Sequence, residues 1–499
     1  ARAFYYKSAW GNVVRNVLVS VIAIAFLPLG ASAQSHDDFQ HLAEINQASI
    51  VMLAEEGLVP AGLAAEIAAC IERVIDEQDQ EGAARSSNYL HFEARLLEVA
   101  GPEASRLHTG RSRQDIGSTY RRMGLREALL DSYTSLLAAR HALLALAADH
   151  VDTIIPAYTH GVQAQPTTLA HYLLAFSAAF ERDARRLEEV YVRLNRSPLG
   201  AAAFATSGFP IDRERLSELL GFAGPIENSY DANLVSSVDS KIEFANTLST
   251  SAITVGQLMQ NLHTQYHNPS PWILLRKEST DVSSIMPQKR NPRPLDAVRL
   301  LATAVVGSAH TVTLNAHNTN SGMNDYRPGS QARDTASKAQ AMYAAYVKVM
   351  TNLAVDRERA LQEVDTEYST MTEVADVLVR HADVPFRVGH HYASELTTYG
   401  RANGKRPKDL TDDELLQVYE ESIGEQVPVD VALIREAMDP AAMVRNRKGL
   451  GGPQQGEVLR MLARHNASLA ANRAWLDASR QHLQHSAAAL EQAFAELQK

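Results

Sequence analysis

The chain has 499 residues, 45% of them hydrophobic and 21% charged, which is more length than one hydrophobic core usually fills and predicts two or three domains. Its formal net charge of −10, without a basic block, argues against nucleic-acid binding. A single cysteine excludes any disulfide within the chain.

At the N-terminus, Lys7 and Arg15 precede the apolar run VLVSVIAIAFLPLG, and ASA at 31–33 supplies small residues for cleavage. That pattern predicts a signal peptide over residues 1–33, since the run falls short of the roughly 20 residues that a membrane span needs. Cleavage would remove Arg2, Lys7 and Arg15 and no acid, taking the formal charge from −10 to −13. No second run looks long and apolar enough to span, so the mature chain is expected to be soluble, periplasmic or secreted, and free of the membrane. Residues 34–112 are expected to form an N-terminal helical domain, with Cys70 in AEIAACIERVI as a small apolar helix residue.

Residues 113–365 are expected to form a central helical bundle. In TTLAHYLLAFSAAFERDARRLEEVYVRL, residues Leu169, Leu173, Phe176, Phe180, Leu187, Val190 and Leu194 recur at steps of three, four and seven. They form one apolar stripe along a helix of about seven turns. Similar spacing runs through 295–314 and from about 332 to 361. Pro385, Pro407 and RNRKGLGGPQQ break the pattern further on, which predicts a smaller C-terminal helical domain over 366–499. Period-two alternation is scarce, so the fold is expected to be all-α.

Three polar clusters interrupt the helices. HTGRSRQD, residues 108–115, has Gly110 for a tight turn and Ser112, Arg113 and Gln114 as donors before a predicted helix, a setting that suits a carboxylate. AYTHGVQAQP, residues 157–166, places Thr159 and His160 together at the expected start of the long helix. DVSSIMPQKRNPRPLD, residues 281–296, concentrates serines, cations and an Asn-Pro pair in one loop. Singly, each has a plainer reading as a helix cap, a surface histidine or a solvated basic loop.

Together the clusters resemble the signature regions of the fumarase/aspartase superfamily, and most closely those of argininosuccinate lyase. SSxMPxKxNP is matched by Ser283, Ser284, Met286, Pro287, Lys289, Asn291 and Pro292; HTGRSRND is matched except at Gln114. YTHxQxAQP is matched by Tyr158, Thr159, His160, Gln163, Ala164, Gln165 and Pro166. FPIDRE at 209–214, NSYDA at 228–232 and VPFRVGHH at 384–391 extend the resemblance across roughly residues 85–460. It implies a three-domain all-α fold whose long helices form a tetrameric core. It further implies a homotetramer with active sites shared between subunits.

The implied reaction is a β-elimination that releases fumarate from an N-substituted aspartate. A proton must leave the carbon beside a carboxylate, so negative charge has to be met where it develops. The resemblance makes Ser283 the base, which needs cationic and backbone donors to stabilise its alkoxide. Lys289 supplies positive charge to the aci-carboxylate. His160 is the natural proton donor to the leaving amine because it exchanges protons near neutral pH, although the residues alone leave open whether another group serves. Asp296 falls where the family has a glutamate that orients this histidine. Ser112, Arg113, Gln114, Thr159, Asn291, Ser284 and Gln288 are expected to hold substrate. No metal or organic cofactor is implied: HExxH, GxGxxG and a cysteine ligand set are all lacking.

Departures fall mainly on the amine side. Val282 replaces a hinge glycine and Gln114 an asparagine; Ser236 stands where the family's SDRD has arginine. An ungapped alignment also puts Met323, Pro328 and Gln331 in place of Tyr, Gln and Lys. Argininosuccinate is therefore one expected substrate and an aminopolycarboxylate of the ethylenediaminedisuccinate type another, the second favoured by export. The competing expectations are a crystallin-like structural protein without catalysis and a dicarboxylate-binding module that has lost turnover.

Overall fold

A computed structural model describes residues 37–322 and 330–499. The expected signal peptide, Met323 and Pro328 lie outside the described residues. The N-terminal part holds α1 (Asp38–Glu55), α2 (Ala61–Gln78) and α3 (Tyr89–Ala100). Long helices follow: α4 (Arg113–Asp149), then a hairpin of β1 (Ile154–Thr159) and β2 (Val162–Thr168), then α5 (Leu169–Leu194). Short helices α6 (Arg213–Leu219) and α7 (Ser229–Leu234) lead into α8 (Ser236–Thr264). Next come β3 (Ile273–Leu275), β4 (Asp281–Val282), β5 (Arg290–Asn291), α9 (Arg293–Ala316), α10 (Gln331–Thr351) and β6 (Leu353–Val355). The chain closes with α11 (Arg357–Val364), α12 (Met371–Ala382), α13 (Phe386–Ala402), α14 (Asp412–Ile423), α15 (Val431–Met438), α16 (Pro440–Arg445) and α17 (Gln455–Glu496). The fold is all-α, its strands confined to three two-stranded antiparallel pairs among the described residues.

The apolar stripe read from the sequence is the buried face of α5: Leu169, Leu173, Phe180, Leu187, Val190 and Leu194 are buried and Phe176 half-buried. It packs with α4, α8 and α17, and the Phe180 ring meets Tyr343 and Tyr346 of α10 edge-on at 6.5 and 5.5 Å. The pattern expected from 332 to 361 is broken by β6, whose backbone pairs with β3. Residues 366–499, expected as one unit, divide by their packing. A cluster over 371–438 stands by itself, whereas α17 buries Val458, Leu462, Leu469 and Leu476 in the bundle and Leu490 and Phe494 among α1 to α3.

Contrary to the sequence reading, α9 has the length and apolar composition of a membrane span, with only 28% of its most apolar window buried. Residues 300–316 of α9 and 244–264 of α8 contain no Asp, Glu, Lys or Arg. Their outward faces show Leu300, Leu314 and Ile253, so the bundle presents an uncharged, partly apolar side to its surroundings.

Candidate active site

The serine-rich loop has a built stem. Asp281 pairs with Asn291 and Val282 with Arg290, while an Asp281–Arg293 ion pair of 2.5 Å braces the base. Seven residues, 283–289, arch between the two short strands. At the first of them the Ser283 hydroxyl accepts main-chain N–H groups from Met286 at 3.1 Å and Ile285 at 3.5 Å. Those are backbone donors of the kind an alkoxide requires. Arg290 closes the other side, donating to the carbonyls of Pro287 and Lys289 at 3.0 and 3.1 Å. This clamp was not singled out by the motif, whose pattern leaves that position free. Ser284, Gln288 and Lys289 are exposed, Asn291 is half-buried and Ile285 is 82% exposed. The arch therefore packs against little in its own chain.

Thr159 and His160 occupy a different element from the one expected. Thr159 ends β1 and faces Val162 of β2, leaving His160 and Gly161 as a two-residue turn with φ of +53° and +77°. Two positive φ values are what a type I′ hairpin demands, and its twist matches that of the strands. α5 begins only at Leu169, capped by the Thr168 side chain. His160 is thus carried, exposed, at a hairpin tip. Gln163 anchors the hairpin by donating to the Val364 carbonyl at 3.0 Å.

The first cluster is the N-terminus of α4. Ser112 caps the helix, accepting from Gln114 N at 3.1 Å, while Asp115 accepts from Ser112 N at 2.7 Å. Asp115 is fully buried and also accepts from Gly200 N at 3.0 Å; burial raises its carboxyl pKa while these donors oppose the rise. Gly110 sits at φ +71°, and a Cβ there would lie 2.3 Å from Ile211, so only glycine fits. Ser112 and Gln114 are half-buried and Arg113 is exposed. Arg111 is the structural arginine, buried, bonded to Ser49 Oγ at 2.8 Å and stacked over Tyr89. The loop packed over this cap holds Ala202, Ala203 and Thr206 at positive φ, a concentration of backbone strain that no residue type in it signalled.

These groups do not converge within one chain. The 37 residues of α4 span about 55 Å, with Ser112 at one end and the hairpin just beyond the other. Arg276 N donates to Asn352 O and Asp356 N to Trp272 O, which ties the strand before the serine loop to the same end as the hairpin. Among the described residues no hydrogen bond or ion pair joins one cluster to another. Asp296, expected to orient His160, faces His263 at 3.7 Å and Arg299 at 3.6 Å in its own chain. Ser236 accepts from Arg122 at 3.1 Å and donates to Asp231 O at 3.0 Å where α7 gives way to α8. Its role there is structural.

Residues 33–307 match a family model described as lyase, and 368–445 one described as argininosuccinate lyase C-terminal. Argininosuccinate lyase 1 of Shouchella clausii is 30% identical over 499 positions, covering 98% of this chain and 99% of that one. The chain belongs to the argininosuccinate lyase family. A second relative, argininosuccinate lyase of Methanothermobacter thermautotrophicus, is 32% identical over 84% of this chain and 90% of its own. Among solved structures, EDDS lyase in complex with formate superposes with a TM-score of 0.86 at 30% identity, covering 92% of each chain. A variant of EDDS lyase with bound fumarate gives 0.85 at the same identity and coverage. Membership of the argininosuccinate lyase family accounts for why the three motifs occur in one order on one bundle.

Proposed function

We propose that this chain is a carbon–nitrogen lyase that cleaves an N-substituted aspartate into fumarate and an amine, at sites each assembled from several subunits of a homotetramer. The observation that carries the chemistry is the Ser283 hydroxyl, fixed by two main-chain N–H donors at the root of a loop that also bears Lys289. Ser283, as alkoxide, takes the proton from the carbon next to the carboxylate. Lys289 and Asn291 meet the charge that develops on that carboxylate, and as the C–N bond breaks the electron pair leaves with nitrogen, which His160 protonates. Asp296 of the neighbouring chain orients His160 in this reading. Ser112, Arg113, Gln114, Thr159, Ser284 and Gln288 hold the succinyl carboxylates.

The 55 Å scale of α4 supports sharing, because one chain cannot fold its cap end onto its loop end. The uncharged faces of α8 and α9 support assembly, since copies packed there would bury Ile253, Leu300 and Leu314. The same burial accounts for the apolar composition of α9 without a membrane. The EDDS lyase superposition supports an aminopolycarboxylate substrate alongside argininosuccinate. Export of a chain matured near Gln34 is part of this reading and rests on the charged and apolar pattern of residues 1–33. No observation favours the non-catalytic alternatives. The test is direct: fumarate absorbance should rise when the purified protein meets argininosuccinate or ethylenediaminedisuccinate. Binding of both without fumarate would sink the lyase reading.

A further inference from the structure

Below the Ser112 cap, α4, α8 and the start of α10 enclose a solvent-open cleft whose eight lining residues include the cations Arg121, Arg122, Lys241 and Arg333. The space open to water-sized groups is about 20 Å³, room for one or two of them.

Two glycines on α4 shape the cleft. At Gly117 a Cβ would lie 3.1 Å from the Arg121 guanidinium, and at Gly124 it would lie 2.8 Å from that of Arg333. A glycine inside a helix costs about 1 kcal/mol relative to alanine. Here each glycine leaves the space in which an arginine head lies flat against the helix. Arg121 folds back toward the helix N-terminus, as long helical side chains do, so its head lies about one turn, roughly 5 Å, from Gln114.

The cations differ in how much of their bonding capacity is used. Arg333 is held bidentately by Asp38 at 2.7 and 2.8 Å. Arg122 donates to the carbonyls of Leu194 and Ser236 at 3.0 and 2.9 Å, with Asp231 and Asp239 near enough to offset part of its charge. Its Nε is buried without a partner. Arg121 has a single long hydrogen bond, to the Tyr120 hydroxyl at 3.5 Å, and no ion pair among the described residues.

Resting on the lyase reading above, we propose that this cleft is a second carboxylate subsite, with Arg121 as its principal ligand, and that the amine half of the substrate carries a carboxylate that docks there. The first subsite, at the Ser112 cap, holds the succinyl half on the same helix face, because Gln114 and Arg121 are seven residues apart. A cationic group at the distal end of the amine half would be repelled by the cleft, so the subsite selects amine halves that end in an acidic group over those that end in a basic one.

The test compares two adducts that differ only in this group, N-(carboxymethyl)aspartate and N-(2-hydroxyethyl)aspartate, by calorimetric binding to the full-length oligomer and by fumarate release. The wild type should bind the carboxymethyl adduct about tenfold more tightly, the scale of one charge-assisted contact. Arg121→Gln should abolish that preference while leaving the hydroxyethyl adduct within twofold, and Arg121→Lys should restore part of it. Gly117→Ala, which displaces the guanidinium without removing its charge, should weaken the preference too. In turnover the loss should appear in KM with kcat nearly unchanged. Equal affinity of the wild type for both adducts, or an Arg121→Gln variant that keeps the preference, would overturn the subsite. Binding with the expected preference but no fumarate would overturn the lyase reading and leave the subsite standing.

Discussion

The two ends of the bundle are built to different standards. At the cap end, Ser112 and Asp115 share reciprocal hydrogen bonds, Asp115 is fully buried and Gly110 is pressed against Ile211. At the loop end, His160 rides an exposed hairpin turn and Lys289 an exposed arch, each with few contacts from its own chain. In the proposed reading the rigid cap end fixes substrate, and the exposed loop end of a neighbouring subunit closes over it to exclude water. The contrast also separates what folding requires from what catalysis requires.

The largest expected effect lies at the loop end. Ser283→Ala should lower turnover by about 10²- to 10⁴-fold, the usual loss with a positioned base, while substrate binding measured by calorimetry stays close to normal. Lys289→Met should reduce turnover comparably and weaken binding as well, because its charge meets the carboxylate in ground and transition states. Near-normal turnover in folded Ser283→Ala would move the base to Ser284 or His160.

At the cap end the expected effect is on stability. Gly110→Ala combines a left-handed backbone with a 2.3 Å clash and should cost about 2–4 kcal/mol in urea unfolding. Gly161→Ala at the hairpin tip has the same backbone conformation with no heavy atom within 4 Å, so about 1 kcal/mol is expected. Similar costs at the two positions would erase the contrast between crowded cap and open turn.

A third region, midway along the bundle, gives a control. His465 of α17 is buried against Arg140 and Glu181, each at 3.3 Å, and Ser177, and burial pulls its pKa down to about 4 against the opposing pull of the Glu181 carboxylate. The unfolded chain therefore binds more protons than the native one between about pH 4 and 6.5, and stability falls as pH drops through that window, by up to about 3 kcal/mol. His465→Gln should flatten the dependence of the urea midpoint on pH between 7 and 4.5. An unchanged slope would assign acid sensitivity to other groups.

The sequence carried the helices and the lyase family better than it carried the geometry. The stripe of α5 was legible because one face meets one core, so period and burial coincide. The hairpin around His160 was not, since both its positive-φ residues sit in a motif that reads as a helix start, and only pairing of β1 with β2 reveals the turn. Ser283 and Lys289 were singled out through their loop motif, and their roles remain part of the proposal. The backbone donors to Ser283 and the Arg290 clamp depend on how the arch folds, which residue types alone do not specify. The docking of α17 across two cores was missed because that helix is amphipathic toward different partners along its length.

Sharing of the site is the central claim, and subunit mixing tests it most directly. Two inactive variants, His160→Asn and Ser283→Ala, should be unfolded together, refolded as mixed oligomers verified by mass spectrometry, and assayed for fumarate. Sites that take His160 and Ser283 from different chains predict that some receive both intact, restoring roughly a quarter of wild-type activity at equal mixing. Verified mixed oligomers that remain inactive would contradict the account.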